Sequence, residues 1–194
     1  MALPAAPCDC ATELQSIRVI VRAAQFAAER HAFQKRKGAA AEPYINHLLE
    51  VADLVSSALD RPDPNLVVAA LLHDAIEDVG VTRADIESRF GRDVADLVFE
   101  VTDDKTLPKA ERKRLQVANA PYKSARAQVI KLADKISNLR ALLASPPPDW
   151  TLQRRREYAE WARQVVNALS RPNPMLKAEF DAAYEQLKSA GIAG

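Results

Sequence analysis

The stretch Leu71-Leu72-His73-Asp74-Ala75-Ile76-Glu77-Asp78 places an imidazole and three carboxylates directly after an apolar run. If residues 66–78 form one helix, its turn of about 100° per residue brings the four polar side chains within an arc of about 140°. Val67, Ala70 and Leu71 recur at helical spacing and predict that the opposite side packs into a core. Buried unpaired charges are costly, so acids at the edge of a core need a counter-charge, for which a divalent cation is the usual solution. A solvated polar cap on the helix end is the alternative.

The composition predicts one globular, mostly helical domain. The 194 residues include 48% hydrophobic and 27% charged residues, with a net charge of +1 and only five glycines. This balance argues against a general nucleic-acid or membrane-surface binder, and the abundance of Ala, Leu, Arg and Glu favours helices. We therefore expect an all-α domain over residues 12–194 and a flexible leader over residues 1–11.

The cysteine content and the hydropathy of the sequence bear on where in the cell the protein is expected. Cys8 and Cys10 are the only cysteines, so the chain cannot build a disulfide framework or a four-cysteine zinc site. No run reaches the length of a membrane span, and the first residues lack the features of a signal peptide. We expect a cytoplasmic protein with neither a membrane nor a nucleic acid as its partner.

Three further segments carry predictions about local structure. A helix is expected from Thr12 to about Phe33, and its predicted buried stripe consists of Leu14, Ile17, Val21, Ala24 and Ala28. The Gly- and Pro-punctuated connection that follows predicts a loop or a short β-hairpin near residues 36–46. Pro108 suits the first position of a helix over residues 109–118, whose charges are expected mostly in solvent.

Two more polar residues fall at the edges of predicted apolar faces. His47 opens a helix with a buried stripe and points towards the core, where it could meet His73 and Asp74. Asp134 lies within the apolar stripe of a later helix, with Asn138 one turn beyond it. An ion pair with Lys131 or Lys135 is the alternative explanation for this acid. Two imidazoles and two carboxylates suit Mn²⁺, Zn²⁺ or Fe²⁺ better than Mg²⁺.

The motifs around these residues follow one another in a specific order. They are Arg36-Lys37 before Pro43-Tyr44-Ile45-Asn46-His47, then His73-Asp74-x-x-Glu77-Asp78, then Val101-Thr102-Asp103-Asp104-Lys105-Thr106-Leu107-Pro108-Lys109, then Lys131-Leu132-Ala133-Asp134-Lys135 with Asn138-Leu139-Arg140, and finally Glu157-Tyr158-x-x-Trp161. Over roughly residues 15–170 this order resembles the guanosine tetraphosphate hydrolase domain of Rel/SpoT proteins. It is most similar to the stand-alone small alarmone hydrolases of the Mesh type.

The resemblance implies a fold, a reaction and a role for each residue. The fold would be the all-α HD-domain fold, and the reaction would be Mn²⁺-dependent removal of pyrophosphate from the 3′ position of (p)ppGpp, leaving GDP or GTP. The implied metal ligands are His47, His73, Asp74 and Asp134, and the implied catalytic acids, which orient or deprotonate the attacking water, are Glu77 and Asp78. The implied substrate-binding residues are Arg36, Lys37, Tyr44, Lys105, Lys109, Asn138, Arg154 and Tyr158.

The chain departs from the family pattern at a few positions. Leu48 stands where the family usually has proline, and Ser137 occupies a position that is often aromatic. Neither change removes an implied ligand or catalytic acid. An HD-domain phosphatase acting on another phosphorylated nucleotide, such as NADPH, is a second interpretation. A non-catalytic module that binds alarmone is a third, which the presence of both Glu77 and Asp78 disfavours.

Overall fold

The computed structural model describes residues 10–194, and every regular element within them is helical. In chain order the helices are α1 (Cys10–Arg30), α2 (Ile45–Ser57), α3 (Pro64–Leu72), α4 (Ala75–Val79), α5 (Arg83–Phe90), α6 (Arg92–Val101), α7 (Lys109–Asn119), α8 (Ala125–Ala144), α9 (Leu152–Asn167) and α10 (Pro174–Ser189). A 3₁₀ turn over Ala120–Tyr122 follows α7. The predicted all-α class is confirmed. None of the helices in residues 10–194 has the length and apolarity that crossing a bilayer requires.

Helix α8 lies at the centre of the fold. It packs against α10, α2, α6 and α9, and twelve of its twenty residues are buried. A helix buried on several sides is normally apolar on all of them. Three of the buried residues of α8 are nevertheless charged, namely Lys131, Asp134 and Lys135. These charges mark the part of the core where a polar site is built.

Local sequence signals set several helix boundaries. The hydroxyl of Thr82 accepts a hydrogen bond from the backbone of Asp85, and the Asp85 carboxylate accepts one from the backbone of Thr82. This reciprocal capping box starts α5. Gly80 and Gly91 end α4 and α5 with φ angles of 69° and 88°, a left-handed backbone that glycine adopts without strain. Pro108 is the residue before α7 rather than its first position.

The predicted buried stripe of α1 is wrong. Leu14, Ile17 and Val21 are 45%, 58% and 60% exposed, whereas the buried positions are Ala23, Phe26 and Ala27. Helix α1 contacts α3, α2 and α4, and its buried residues lie only in its C-terminal half. The helix begins at Cys10 and ends at Arg30, and residues 1–9 of the predicted leader lie outside the described residues.

Residues 66–78 lie in two helices rather than one. Helix α3 ends at Leu72 and α4 begins at Ala75, so His73 and Asp74 form the junction between them. Asp74 has φ −100° and ψ 0°, a sparsely populated conformation that often occurs in functional sites. Aspartate inside a helix competes for backbone hydrogen bonds, which favours such an interruption. The predicted single 140° arc is therefore wrong, although the four side chains still converge.

Of the two forms expected for the connection between α1 and α2, the structure has the loop, which contains one antiparallel bridge, between Lys35 and Pro43, and no β-hairpin in the described residues. The backbone N–H of Arg36 donates to Glu42, and the backbone N–H of Tyr44 donates to Gln34. Gly38 sits at the far end of this loop, against the C-terminus of α8. A Cβ added at Gly38 would lie only 2.2 Å from the carbonyl oxygen of Ser145. Glycine is therefore required there for a close approach.

Candidate functional site

Four side chains converge where α2, the α3–α4 junction and α8 meet. Nε2 of His47 lies 3.4 Å from Asp134 Oδ1 and 3.7 Å from Asp74 Oδ2. Nε2 of His73 lies 3.2 Å from Asp74 Oδ2 and 3.9 Å from Asp134 Oδ1. Both histidines are almost completely buried. The four residues that the sequence predicted as metal ligands are thus brought together.

Neighbouring groups fix the orientation of each of these side chains. Nδ1 of His73 donates to the carbonyl of Ala70 at 2.8 Å, which directs its Nε2 at the carboxylates. The hydroxyl of Tyr44 donates to Asp74 Oδ2 at 2.6 Å. The two oxygens of Asp134 have different partners: Asn138 Nδ2 donates to Oδ1 at 2.6 Å, and Lys135 Nζ donates to Oδ2 at 2.9 Å. Such outer contacts are typical of metal sites.

The charges of the cluster are strongly coupled. Burial lowers the pKa of His47. Burial also lowers the pKa of His73, but the adjacent carboxylates, chiefly Asp74, outweigh it and raise the pKa to about 9. Burial opposes ionisation of both carboxyl groups. The charge of His73 nevertheless holds the pKa of Asp74 well below its usual value, and Lys135 and His47 do the same for the pKa of Asp134. The imidazole of His73 and the two carboxylates therefore each favour the charged form of the other.

This donor set fits a divalent cation. One ligand atom from each of His47, His73 and Asp134 can be chosen so that all lie within 4.8 Å of one another. Nε2 of His73 is buried and has no hydrogen-bond partner in the described part of the chain. An unpartnered imidazole nitrogen facing two carboxylates is the arrangement that a bound cation would satisfy. Asp74 Oδ2 lies beside both imidazoles, although Asp74 is not part of this group of three.

The two predicted catalytic acids lie on α4, beside the cluster. Lys105 Nζ lies 2.7 Å from Asp78 Oδ1 and 3.5 Å from Glu77 Oε1. Gln34 Nε2 donates to the other Asp78 oxygen at 2.8 Å. Burial raises the pKa of Glu77, with smaller contributions from Asp74 and Asp103. Glu77 is thus better placed to accept a proton near neutral pH than an ordinary carboxylate.

The connection between α1 and α2, residues 31–44, forms one wall of the site and is called the basic loop. Arg36 donates to Ser137 Oγ at 3.3 Å and to Asn138 Oδ1 at 3.1 Å. The backbone N–H of Ala40 donates to Ser145 Oγ at 2.9 Å, which fastens the loop to the end of α8. Both Arg36 and Lys37 line the cavity above the cluster. Their position depends on the close packing at Gly38 described above.

Basic and aromatic residues of α7, α8 and α9 form another wall of the site. Two ammonium groups lie near the ring of Trp161, with Lys113 Nζ 4.6 Å and Lys135 Nζ 4.5 Å from its centroid. The ring of Tyr158 lies 5.4 Å from that of Trp161 at an angle of 57°, and Arg154 lies over the ring of Trp150 at 4.6 Å. Burial and the neighbouring cations lower the pKa values of Lys109 and Lys113. Crowded cations of this kind favour binding of an anion.

Together these walls enclose a cavity of about 670 Å³. The predicted site residues that line it are Arg36, Lys37, Tyr44, His73, Asp74, Glu77, Asp78, Lys105, Lys109, Asp134, Asn138, Arg154 and Tyr158. His47 lies beneath the cavity surface as part of the cluster. One side of the Tyr44 ring stacks on His31 at 5.3 Å between centroids. A base stacking on Tyr44, as the resemblance implies, would have to use the other side.

Several lining residues were not predicted. Arg112 and Lys113 line the cavity, so the expectation that the charges of α7 mostly face solvent is wrong for these two. Their direction depends on how α7 packs against α9, which the sequence does not reveal. Asp134 makes the ion pair with Lys135 that was the alternative explanation for this acid, and it also lies close to Nε2 of His47. Nothing in the sequence marks Gln34 as a site residue except that it directly precedes the basic residues Lys35, Arg36 and Lys37.

Comparisons with known proteins agree with this geometry. A family profile described as HD domain matches residues 23–171. The chain is 49% identical over 163 residues to guanosine-3′,5′-bis(diphosphate) 3′-pyrophosphohydrolase MESH1 of Xenopus tropicalis, covering 84% of this chain and 91% of the relative. Its identity to the Homo sapiens protein of the same name is 46% over 167 residues, covering 86% and 93%. A solved structure described as a metazoan orthologue of SpoT that hydrolyses ppGpp superposes with a TM-score of 0.83 at 41% identity, covering 96% of this chain and 98% of that one.

Proposed function

This chain belongs to the HD-domain family, and we propose that it is a guanosine-3′,5′-bis(diphosphate) 3′-pyrophosphohydrolase that converts (p)ppGpp to GDP or GTP and pyrophosphate. The observation that carries the proposal is the position of the buried His and Asp cluster at the floor of a cavity with cationic walls. A nucleotide with two diphosphates needs such cations along its length. The cluster then lies where one of the diphosphates can be cleaved.

The proposed cofactor is Mn²⁺, held by His47, His73, Asp74 and Asp134. Mixed imidazole and carboxylate ligands suit this ion. When bound, the cation supplies Lewis-acid chemistry, because it screens phosphate charge and acidifies water. Lys135 supports the site from the side, since its ammonium holds the second oxygen of Asp134. Tyr44 does the same for Asp74.

The reaction consumes one water. The water oxygen forms a bond to the phosphorus nearest the ribose, and the bond between that phosphorus and the 3′ oxygen breaks. The 3′ oxygen gains a proton, and the diphosphate leaves as pyrophosphate. Glu77 is proposed to take the proton from water, because its burial favours the protonated form. Asp78, fixed by Lys105 and Gln34, is proposed to orient the water.

The remaining predicted residues are proposed to hold the nucleotide. Arg36 and Lys37 on the loop, and Lys105 on the α6–α7 connection, would neutralise diphosphate oxygens near the cluster. Lys109 and Arg154 would bind phosphate on the basic and aromatic wall, where crowding of cations already favours an anion. Tyr44, Asn138 and Tyr158 are proposed to contact the base and ribose.

The proposal is tested by analysing products. Metal-stripped protein is incubated with ppGpp, with and without added Mn²⁺, and the products are separated by anion-exchange chromatography. We expect GDP and pyrophosphate only when Mn²⁺ is present. If folded protein that binds Mn²⁺ releases nothing from ppGpp but releases phosphate from NADPH, the proposed substrate is wrong. Binding of ppGpp without turnover of either nucleotide would indicate a non-catalytic module.

The metal assignment has its own test. Asp134→Asn keeps the size of the side chain but removes the negative charge, so Mn²⁺ affinity and turnover should both be lost. Asp181→Asn is a matched control, because Asp181 is exposed on α10, where it pairs with Lys177. Unchanged Mn²⁺ affinity in Asp134→Asn would refute the assignment of this ligand.

A further inference from the structure

The hydroxyl of Ser137 is a contact point for three groups. Its Oγ lies 2.8 Å from His47 Nδ1 and 2.6 Å from Glu50 Oε2, and NH1 of Arg36 donates to it at 3.3 Å. Ser137 on α8 is fully buried. Glu50 lies on α2, three residues after His47, and its side chain is 34% exposed. The second oxygen of Glu50 lies 3.4 Å from Arg140, which holds the carboxylate in place.

Counting protons fixes the direction of these hydrogen bonds. A serine hydroxyl has one proton and two lone pairs, whereas an ionised carboxylate can only accept. Because Glu50 can only accept at 2.6 Å, Ser137 must donate its single proton to Glu50. Its two lone pairs are then left for Arg36 and for Nδ1 of His47. His47 must therefore carry its proton on Nδ1.

This assignment leaves Nε2 of His47 with a free lone pair. That nitrogen is the one that approaches Asp74 and Asp134, and it is the ligand atom of the proposed metal centre. Neutral His73, the form that can bind a cation, has its proton on Nδ1 for a different reason, because its Nδ1 donates to a backbone carbonyl. The tautomer of a ligating imidazole is set by the hydrogen bond that its other nitrogen makes.

We propose that Glu50 and Ser137 are positioning residues that hold His47 as the Nδ1–H tautomer and so present its Nε2 to the cation. The inference rests on the proposed function for the identity of the cation, but not on the identity of the nucleotide. The carboxylate accepts from the serine, the serine accepts from the imidazole, and the imidazole faces the metal centre. These hydrogen bonds, which we call the Glu50–Ser137–His47 relay, join helices α2 and α8 at the floor of the site.

The first test reads the tautomer directly. Two-bond ¹⁵N–¹H correlation spectra of the metal-free protein at neutral pH distinguish protonated from unprotonated imidazole nitrogens. We expect a protonated Nδ1 and an unprotonated Nε2 for His47. A proton on Nε2 of His47, alone or together with one on Nδ1, would overturn the proposal. This measurement uses the wild-type chain and does not depend on any variant folding.

The second test removes each member of the relay. Glu50→Ala leaves the Ser137 proton free to turn towards His47, so the tautomer should shift to Nε2–H. Ser137→Ala removes the acceptor for Nδ1. In both variants Mn²⁺ affinity, measured by calorimetry without nucleotide, should fall about 10- to 100-fold. Ser137→Thr keeps the hydroxyl and should restore most of the affinity.

Matched controls separate the relay from general effects of substitution. Asp53→Ala and Ser56→Ala change an exposed acid and an exposed hydroxyl on the same helix α2 and should leave Mn²⁺ affinity unchanged. Wild-type affinity and tautomer in both Glu50→Ala and Ser137→Ala would overturn the relay. Failure of the wild-type protein to cleave ppGpp, with the tautomer and Mn²⁺ affinity as expected, would instead count against the proposed function alone.

Discussion

Replacing Gly38 by alanine should displace the basic loop without altering the metal centre. The added Cβ would lie 2.2 Å from the carbonyl oxygen of Ser145 and 2.6 Å from its Oγ. The nearer atom belongs to the backbone at the end of α8 and cannot rotate away. The loop must therefore move by about 1 Å to reach an ordinary contact distance. No positive φ is involved at this glycine, so the effect is one of space alone.

The size of the expected loss of activity follows from the residues that the basic loop positions. Arg36 and Lys37 are proposed to bind diphosphate, and a displacement of about 1 Å can cost roughly 100-fold in the rate of an oriented reaction. The hydrogen bonds from Ala39 N–H to the carbonyl of Pro146 and from Ala40 N–H to Ser145 Oγ would also weaken, at about 1 kcal/mol each. We expect kcat/KM for ppGpp to fall by up to about 100-fold. Mn²⁺ affinity should stay near that of the wild type, since the ligands lie outside the loop.

The assay is steady-state hydrolysis of ppGpp, with Mn²⁺ affinity and urea unfolding measured on the same samples. Gly194→Ala is the matched control, because nothing lies within 4 Å of a Cβ at that position. A Gly38→Ala variant with the kcat/KM of the wild type would refute the idea that the fit of the loop against Ser145 positions the basic residues. A loss of Mn²⁺ affinity equal to the loss of activity would also contradict it.

Three further substitutions test other parts of the site and fold. Lys135→Met leaves Asp134 buried without its partner, so the free energy of unfolding in chelator should fall by about 3–5 kcal/mol, with a smaller loss in Mn²⁺; equal losses in both conditions would contradict this. Tyr44→Phe keeps the stack on His31 but removes the hydrogen bond to Asp74, and calorimetry should show Mn²⁺ affinity about tenfold weaker. Thr82→Ala removes a helix cap and should cost about 1 kcal/mol in urea unfolding while leaving kcat/KM unchanged.

The parts of the fold that the sequence predicted correctly depend on local signals. The helical class follows from composition and from the periodicity of short segments. His47, His73, Asp74 and Asp134 could be picked out because each is a polar residue at the edge of an apolar pattern. Their convergence was then required by the cost of burying charge without a partner.

The features that were missed depend on contacts between distant segments. The break at Asp74 is accompanied by a hydrogen bond from Tyr44, thirty residues earlier in the chain. The exposed stripe of α1 satisfies the helical period as well as the buried one does, and only contact with α3 decides between them. The contacts of Ser137 to Glu50 and His47 span 87 and 90 residues. Periodicity along one helix has no access to such pairs.

The environment of Asp134 shows why a metal ligand and an ion-paired acid are not exclusive alternatives. One carboxylate oxygen faces the two imidazoles and the other faces the ammonium of Lys135, so both interactions are made at once. Asp74 and Asp134 together carry two negative charges, of which Lys135 offsets one. With a divalent cation bound and both imidazoles neutral, the cluster would therefore carry a net positive charge. A diphosphate would neutralise that charge, so metal binding at the floor of the cavity should itself strengthen binding of the anionic nucleotide.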